Sequence, residues 1–262
     1  MKSSQRSAES SSSTPGLTAV VAALPEEASV LRQRLERVRP LPDGPRNAVL
    51  GTLGSLPIAL AVTGDGAGNA RAGLDALLQA LPVRRLLVIG VSGALSAHLD
   101  AYTLLVGARV LDERGSLLEA DRSLSLAALE STSARLGVLV TAAHLADTAA
   151  EKRRLLALSG THTEAAAVDL ESAAYAGAAL RANIPWLFLR AISDTADEPL
   201  PPLLNGCRDA QGSVRRMAVF GRLLLDPRPL PALLALRRRV QRCADVLGQA
   251  AEAVLTALPP PA

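Results

Sequence analysis

Apolar residues fall along the chain in short blocks separated by stretches with three-to-four spacing, the mark of strands alternating with helices. Residues 17–24 form the first block and predict a buried strand. Pro25 follows and suits the first position of a helix, because it has no amide hydrogen to leave unpaired there. The spacing of Ala28, Leu31, Leu35 and Val38 predicts a helix over 26–38, broken by Pro40, Pro42, Gly44 and Pro45. Two short strands are expected at 48–53 and 57–62, joined by a turn at Gly54 and Ser55. The glycine-rich run 63–70, TGDGAGNA, then leads into a helix ending near Leu81.

Further strands are expected at 85–91, 103–111, 137–143, 165–168 and 186–192. A small-residue loop is expected at 92–95. Helices are expected at 123–136, with Ser123 as cap, and at 148–158, where Thr148 and Glu151 form the capping-box pattern. The alternation predicts an α/β fold of three layers, a central mixed β-sheet flanked by helices. A last helix over 232–258 carries one apolar stripe through Leu233, Leu236, Val240, Cys243, Leu247, Ala250 and Val254. The expected organisation is a tail at 1–15, a domain at 16–227 and an amphipathic helix packed on it at 228–262. Arg237, Arg238, Arg239 and Arg242 crowd the middle of that helix, which reads either as a solvated basic edge or as a surface for anionic lipid.

Composition narrows the classes. The chain has 262 residues, nearly half of them apolar but only 2% aromatic, so the core is built from Leu, Val and Ala. A net charge of +3 gives no ground for nucleic-acid binding. Cys207 and Cys243 are far apart, and His98, His144 and His162 lack metal-ligand spacing, so neither a disulfide framework nor a metal site is expected. The short apolar run after Lys2 and Arg6 is no export signal, which makes the expected location cytoplasmic.

Chemistry is concentrated in carboxylates just past strand ends: Glu27, Glu171 and Asp194. Each has a structural explanation, since acids suit the first turn of a helix. Strand ends on one side of a sheet share a rim, however, and three acids there point to a common pocket. The glycine run lacks a phosphate-loop ending and has Asn69 where a dinucleotide motif needs its third glycine.

Several segments resemble the nucleoside phosphorylase superfamily, in the branch of methylthioadenosine/S-adenosylhomocysteine nucleosidases. They are AALPEEA at 22–28, GDG at 64–66, GAL at 93–95, VDLE at 168–171 and RAISD at 190–194 followed by Ala196 and Asp197. The segment at 200–202 and the PLPALL entry to the last helix resemble the hopanoid-associated phosphorylase subgroup. The resemblance implies a purine nucleosidase, in which Asp194 protonates N7 of the base, Glu171 binds ribose hydroxyls and Glu27 deprotonates water. It further implies substrate contacts from Leu170, Ser193, Gly64, Gly93 and Ser92, with Ser193 and Arg190 more as loop supports than as reactants, no cofactor, a small purine nucleoside as partner and a homodimer. Burial beside the strand at 186–192 is expected to keep Asp194 protonated until use. An adenosyl-hopanoid is the substrate suggested by the subgroup.

Some positions depart from the family pattern. Leu170 stands for methionine, Val91 for the serine of the glycine loop with Ser92 one place on, and Tyr102-Thr103 for Gly-Asp. Val88 stands where phosphate-using relatives carry an arginine, which favours water over phosphate unless Arg71 or Arg109 reaches the site. Phosphorolysis and non-catalytic nucleoside binding are the competing readings.

Overall fold

A computed structural model describes residues 16–45, 47–112, 114–161, 164–201, 204–207 and 228–259. The expected tail at 1–15, His162 and Pro202 lie outside the described residues. The chain runs β1 (Leu17–Ala22), α1 (Pro25–Arg34), β2 (Glu36–Pro40), β3 (Val49–Leu53), β4 (Leu56–Val62), α2 (Ala67–Ala80) and β5 (Val83–Ala94). It continues with β6 (Leu104–Asp112), β7 (Leu117–Glu119), α3 (Arg122–Ser131), β8 (Arg135–Thr141), α4 (Ala149–Leu158) and β9 (Ala165–Asp169). Then come α5 (Ser172–Arg181), β10 (Trp186–Asp194), a short 3-10 turn at Asn205–Cys207 and α6 (Leu230–Ala257).

The strands form one mixed sheet, in the order β10-β6-β8-β9-β5-β1-β4-β3-β2. β5 organises it. Along its length it pairs in parallel with β1 on one side and β10 on the other, while Gly93 and Ala94 at its end pair antiparallel with β9. Because β10 bonds both β5 and β6, the strands β5, β10, β6, β8 and β9 close on themselves into a barrel-like half. The other strands extend from it as an open sheet.

Helices cover both faces. Leu74 and Leu77 of α2 join Tyr175, Ala176 and Ala179 of α5 in one buried cluster. Ala28 and Leu31 of α1, Leu124 and Ala128 of α3, and Leu247, Ala251 and Val254 of α6 form the cluster on the opposite face. The expected α6 stripe divides the helix by function. Cys243, Leu247, Ala250 and Val254 are buried, whereas Leu236 and Val240 border a cavity. A Cβ on Gly248 would run into the Val30 side chain, so glycine here lets α6 approach α1 closely.

The structure corrects several element boundaries. The helix expected over 26–38 ends at Arg34, and Val38 lies 41% exposed in β2. Leu35, with φ -74 and ψ 136, is already extended, and this ends the helix. The helix expected over 123–136 is α3, and its cap is Asp121, whose carboxylate accepts from Leu124 N at 3.0 Å, rather than Ser123. The expected loop at 92–95 is largely strand, since β5 runs on to pair with β9. Thr148 does cap α4, accepting from Glu151 N at 3.2 Å.

Candidate active site

The C-terminal ends of β1, β5, β9 and β10 meet around a cavity of about 330 Å³. Glu27, Asp65, Asp169, Glu171 and Asp194 contribute its acids, and Ser92, Gly93, Leu170 and Ser193 also line it. Gly64 does not. With φ 96 and its amide bonded to Ala23 O at 3.0 Å, Gly64 shapes the turn that presents Asp65. Sequence reasoning missed Leu145, Ala146, Leu204, Leu236 and Val240, which with Leu200 form an apolar wall. Arg109 is paired with Glu164 and does not line the cavity, nor does Arg71. Among the described residues, no lysine or arginine lines it.

Glu27 stands in the first turn of α1, where Pro25 starts the helix, and is 3% exposed. Its Oε2 accepts from Leu24 N and its Oε1 from Val91 N, each at 2.8 Å. Burial raises its pKa above the ordinary carboxylate value, against the lowering pull of these amides and of Arg190. Glu171 precedes α5. Its Oε1 accepts from Gly66 N at 2.6 Å and its Oε2 from Leu170 N at 3.3 Å. Burial, then the neighbouring charge of Asp169, raises its pKa to about 7.

Asp169 and Arg190 form the scaffold beneath these acids. Arg190 donates to Asp169 Oδ2 through Nε at 3.1 Å and Nη2 at 2.9 Å, while Ser172 N donates to Oδ1 at 3.1 Å. Asp169 thus caps α5, and Arg190 holds that cap from β10. A Cβ on Gly90 would overlap the Arg190 guanidinium, so a glycine in β5 makes room for it. Tyr175 adds a hydroxyl shared with Thr63, and burial pushes its pKa up.

Asp194 is held differently. Ser193 Oγ donates to Oδ1 at 2.6 Å, and the ammonium of Lys152 lies 2.5 Å from Oδ2. Lys152 is 1% exposed and also donates to the carbonyl oxygens of Thr195 at 2.6 Å and Glu198 at 2.9 Å. Asp194 is buried at the end of the apolar strand β10, as expected, and there it is paired with this buried cation, which the sequence reading did not include. Gly93 leaves room beside it, because a Cβ there would sit 2.8 Å from Asp194 Oδ2 and displace the carboxylate. Ser92 Oγ is buried and, among the described residues, has no hydrogen-bond partner.

Tyr102 explains one departure from the family pattern. Its φ of 70 is a left-handed conformation that favours the glycine usual there. The ring is covered by the Arg242 guanidinium, 4.7 Å from its centroid, and its amide donates to Ile192 O at 2.7 Å.

With this geometry in hand, known proteins provide the frame. A sequence profile of the phosphorylase superfamily matches residues 18–205. The chain belongs to the phosphorylase superfamily. Among curated protein sequences there is no match. Solved structures share the superfamily fold. A 5′-methylthioadenosine/S-adenosylhomocysteine nucleosidase from Neisseria meningitidis, in complex with methylthio-immucillin-A, aligns with TM-score 0.71 at 19% identity, over 92% of this chain and 99% of that one. An S-adenosylhomocysteine nucleosidase from Streptococcus pyogenes aligns with TM-score 0.74 at 17% identity, over 94% and 98%. Futalosine hydrolase from Helicobacter pylori gives TM-score 0.71 at 18% identity, over 93% and 98%. The superfamily match covers the segments that supply Glu27, Glu171 and Asp194.

Proposed function

We propose that the protein hydrolyses the N-glycosidic bond of an adenosyl nucleoside with an apolar 5′ substituent. The observation that carries this reading is one cavity where Glu27, Glu171 and Asp194 converge and where, among the described residues, no cation lines the wall. Departure of a purine leaves positive charge on the sugar, as in glycoside hydrolysis, and acids stabilise it. Asp194 passes a proton to N7, so that the base leaves neutral. Glu171 binds ribose hydroxyls and, once ionised, faces the developing charge. Glu27 takes the proton of the attacking water, and its raised pKa makes it the stronger base. A phosphate nucleophile would instead meet five acids and, among the described residues, no lining cation.

The apolar wall of Leu145, Leu200, Leu204, Leu236 and Val240 suits a large apolar group at the 5′ position, of which an adenosyl-hopanoid is the candidate from the sequence resemblance. Leu230 and Leu234 are exposed beside Arg237 and Arg238, which supports contact of α6 with an anionic membrane from which such a substrate could be drawn. The proposal extends to a homodimer in a cytoplasmic setting.

A panel of adenosyl compounds with 5′ groups of increasing apolar size, read by chromatography for free adenine, tests the reading. Turnover should rise with apolar size and disappear in Glu27→Gln. Equal turnover of plain adenosine would remove the assigned role of the wall. The absence of adenine from every compound would favour a binding protein without activity.

A further inference from the structure

Lys152 is a fully buried lysine in the first turn of α4, and the scheme above gives it no task. All three of its contacts point to the end of β10: Asp194 Oδ2 and the carbonyl oxygens of Thr195 and Glu198. Burying an ammonium is costly unless it is paired and hydrogen-bonded, and here both conditions are met. Arg239 of α6 is ion-paired with Glu198 on the same turn, Arg239 and Cys243 both feel the charge of Asp194, and Glu27, Asp169 and Glu171 share its cavity. Lys152 does not line the cavity, so it reaches a substrate only through Asp194.

We infer that Lys152 is the positioning residue for Asp194 and the source of the proton that Asp194 delivers. This rests on the reading of Asp194 as the group that protonates the base. An ammonium–carboxylate pair and an amine–carboxylic acid pair hold the same number of protons. A shift of one proton from Nζ to Oδ2 therefore turns the pair into a proton donor without taking anything from solvent. As the C1′–N9 bond breaks, its electron pair goes to the purine and N7 accepts that proton. Asp194 is left as a carboxylate and Lys152 as a neutral amine. Water gives hydroxide to C1′ and its proton to Glu27, and solvent then returns one proton to Lys152 as Glu27 releases one. The net reaction consumes only water.

The test compares 5′-methylthioadenosine with 4-nitrophenyl riboside, whose leaving group departs without a proton. Asp194→Asn should lose about 10²-fold or more in kcat on the nucleoside and far less on the nitrophenyl riboside, in line with general acid catalysis. Lys152→Met should show the same selective loss in kcat, with KM on the nucleoside little changed. The double variant, which removes both charges and avoids an unpaired buried acid, should be no worse than Asp194→Asn alone. Equal loss on both substrates in Lys152→Met, or no loss, would overturn the inference while leaving Asp194 in its role. A further selective loss in the double variant would overturn it too, and still reads out if Lys152→Met does not fold. Equal loss on both substrates in Asp194→Asn would remove the role of Asp194 itself, and the inference with it.

Discussion

On one side of the cavity Glu27 and Glu171 accept hydrogen bonds from main-chain amides of Leu24, Val91, Gly66 and Leu170. On the other side Asp194 is held by two side chains, Ser193 and Lys152. Amides come with the fold and carry no net charge, so burial dominates on the first side and both glutamates have raised pKa values. A buried ammonium depends on a single residue and brings a full opposite charge. The sugar side of the proposed reaction is thus set by backbone and sensitive to pH, whereas the base side is set by side chains and sensitive to substitution.

The largest test of this contrast is Asp194→Asn, expected to lower adenine release by about 10²–10⁴-fold, the range for a lost general acid. Retention of activity near the starting level would erase the base side as described. Glu171→Gln probes the other side through stability. The carboxyl keeps its proton up to about pH 7 in the folded chain but ionises near 4.5 once unfolded. Its favourable contribution is therefore complete below pH 4.5, declines between 4.5 and 7, and is gone above 7. The amide variant has no such charge to bury and should lose less stability from pH 4 to pH 9, by on the order of a few kcal/mol in denaturant unfolding. Parallel curves for the two proteins would contradict the burial of an ionisable Glu171.

Gly93→Ala sharpens the same contrast with a smaller effect. The added methyl would press on Asp194 Oδ2, so activity on a nucleoside should fall about tenfold, a cost near 1.4 kcal/mol. Unchanged rates would show that Asp194 has room to move. Leu170→Met should change least, within about 1.5 kcal/mol in unfolding, because the swap conserves volume. A larger loss would mean that the Leu170 side chain is more tightly packed than a cavity-lining position requires.

These residues were not equally legible in the sequence. Glu27, Glu171 and Asp194 each lie at or a few residues past the end of an apolar strand, and a strand end fixes where the next side chains go. Lys152 lies in the run EKRR, which reads as a solvated helix face; Arg153 and Arg154 are indeed exposed, and only the packing of α4 against β9, which brings Lys152 to Asp194, Thr195 and Glu198, turns it inward. The layered α/β fold follows from the alternation of apolar blocks, but β2 and β7 do not, because both are short and β2 is exposed along its whole length. Asp121 was missed as a cap because Ser123, two residues later, has the same propensity and instead donates to it. The apolar wall was hidden for a different reason. Leu145, Leu200 and Val240 are far apart in the chain and come together only in the folded protein.

The central claim is that the converging acids, with no lysine or arginine lining the cavity among the described residues, direct water, rather than phosphate, at the sugar. Its most direct test is turnover of 5′-methylthioadenosine with and without added phosphate, with the sugar product identified. The account predicts the same rate of adenine release in both and the free sugar as product. Turnover that requires phosphate and yields the sugar 1-phosphate would contradict it.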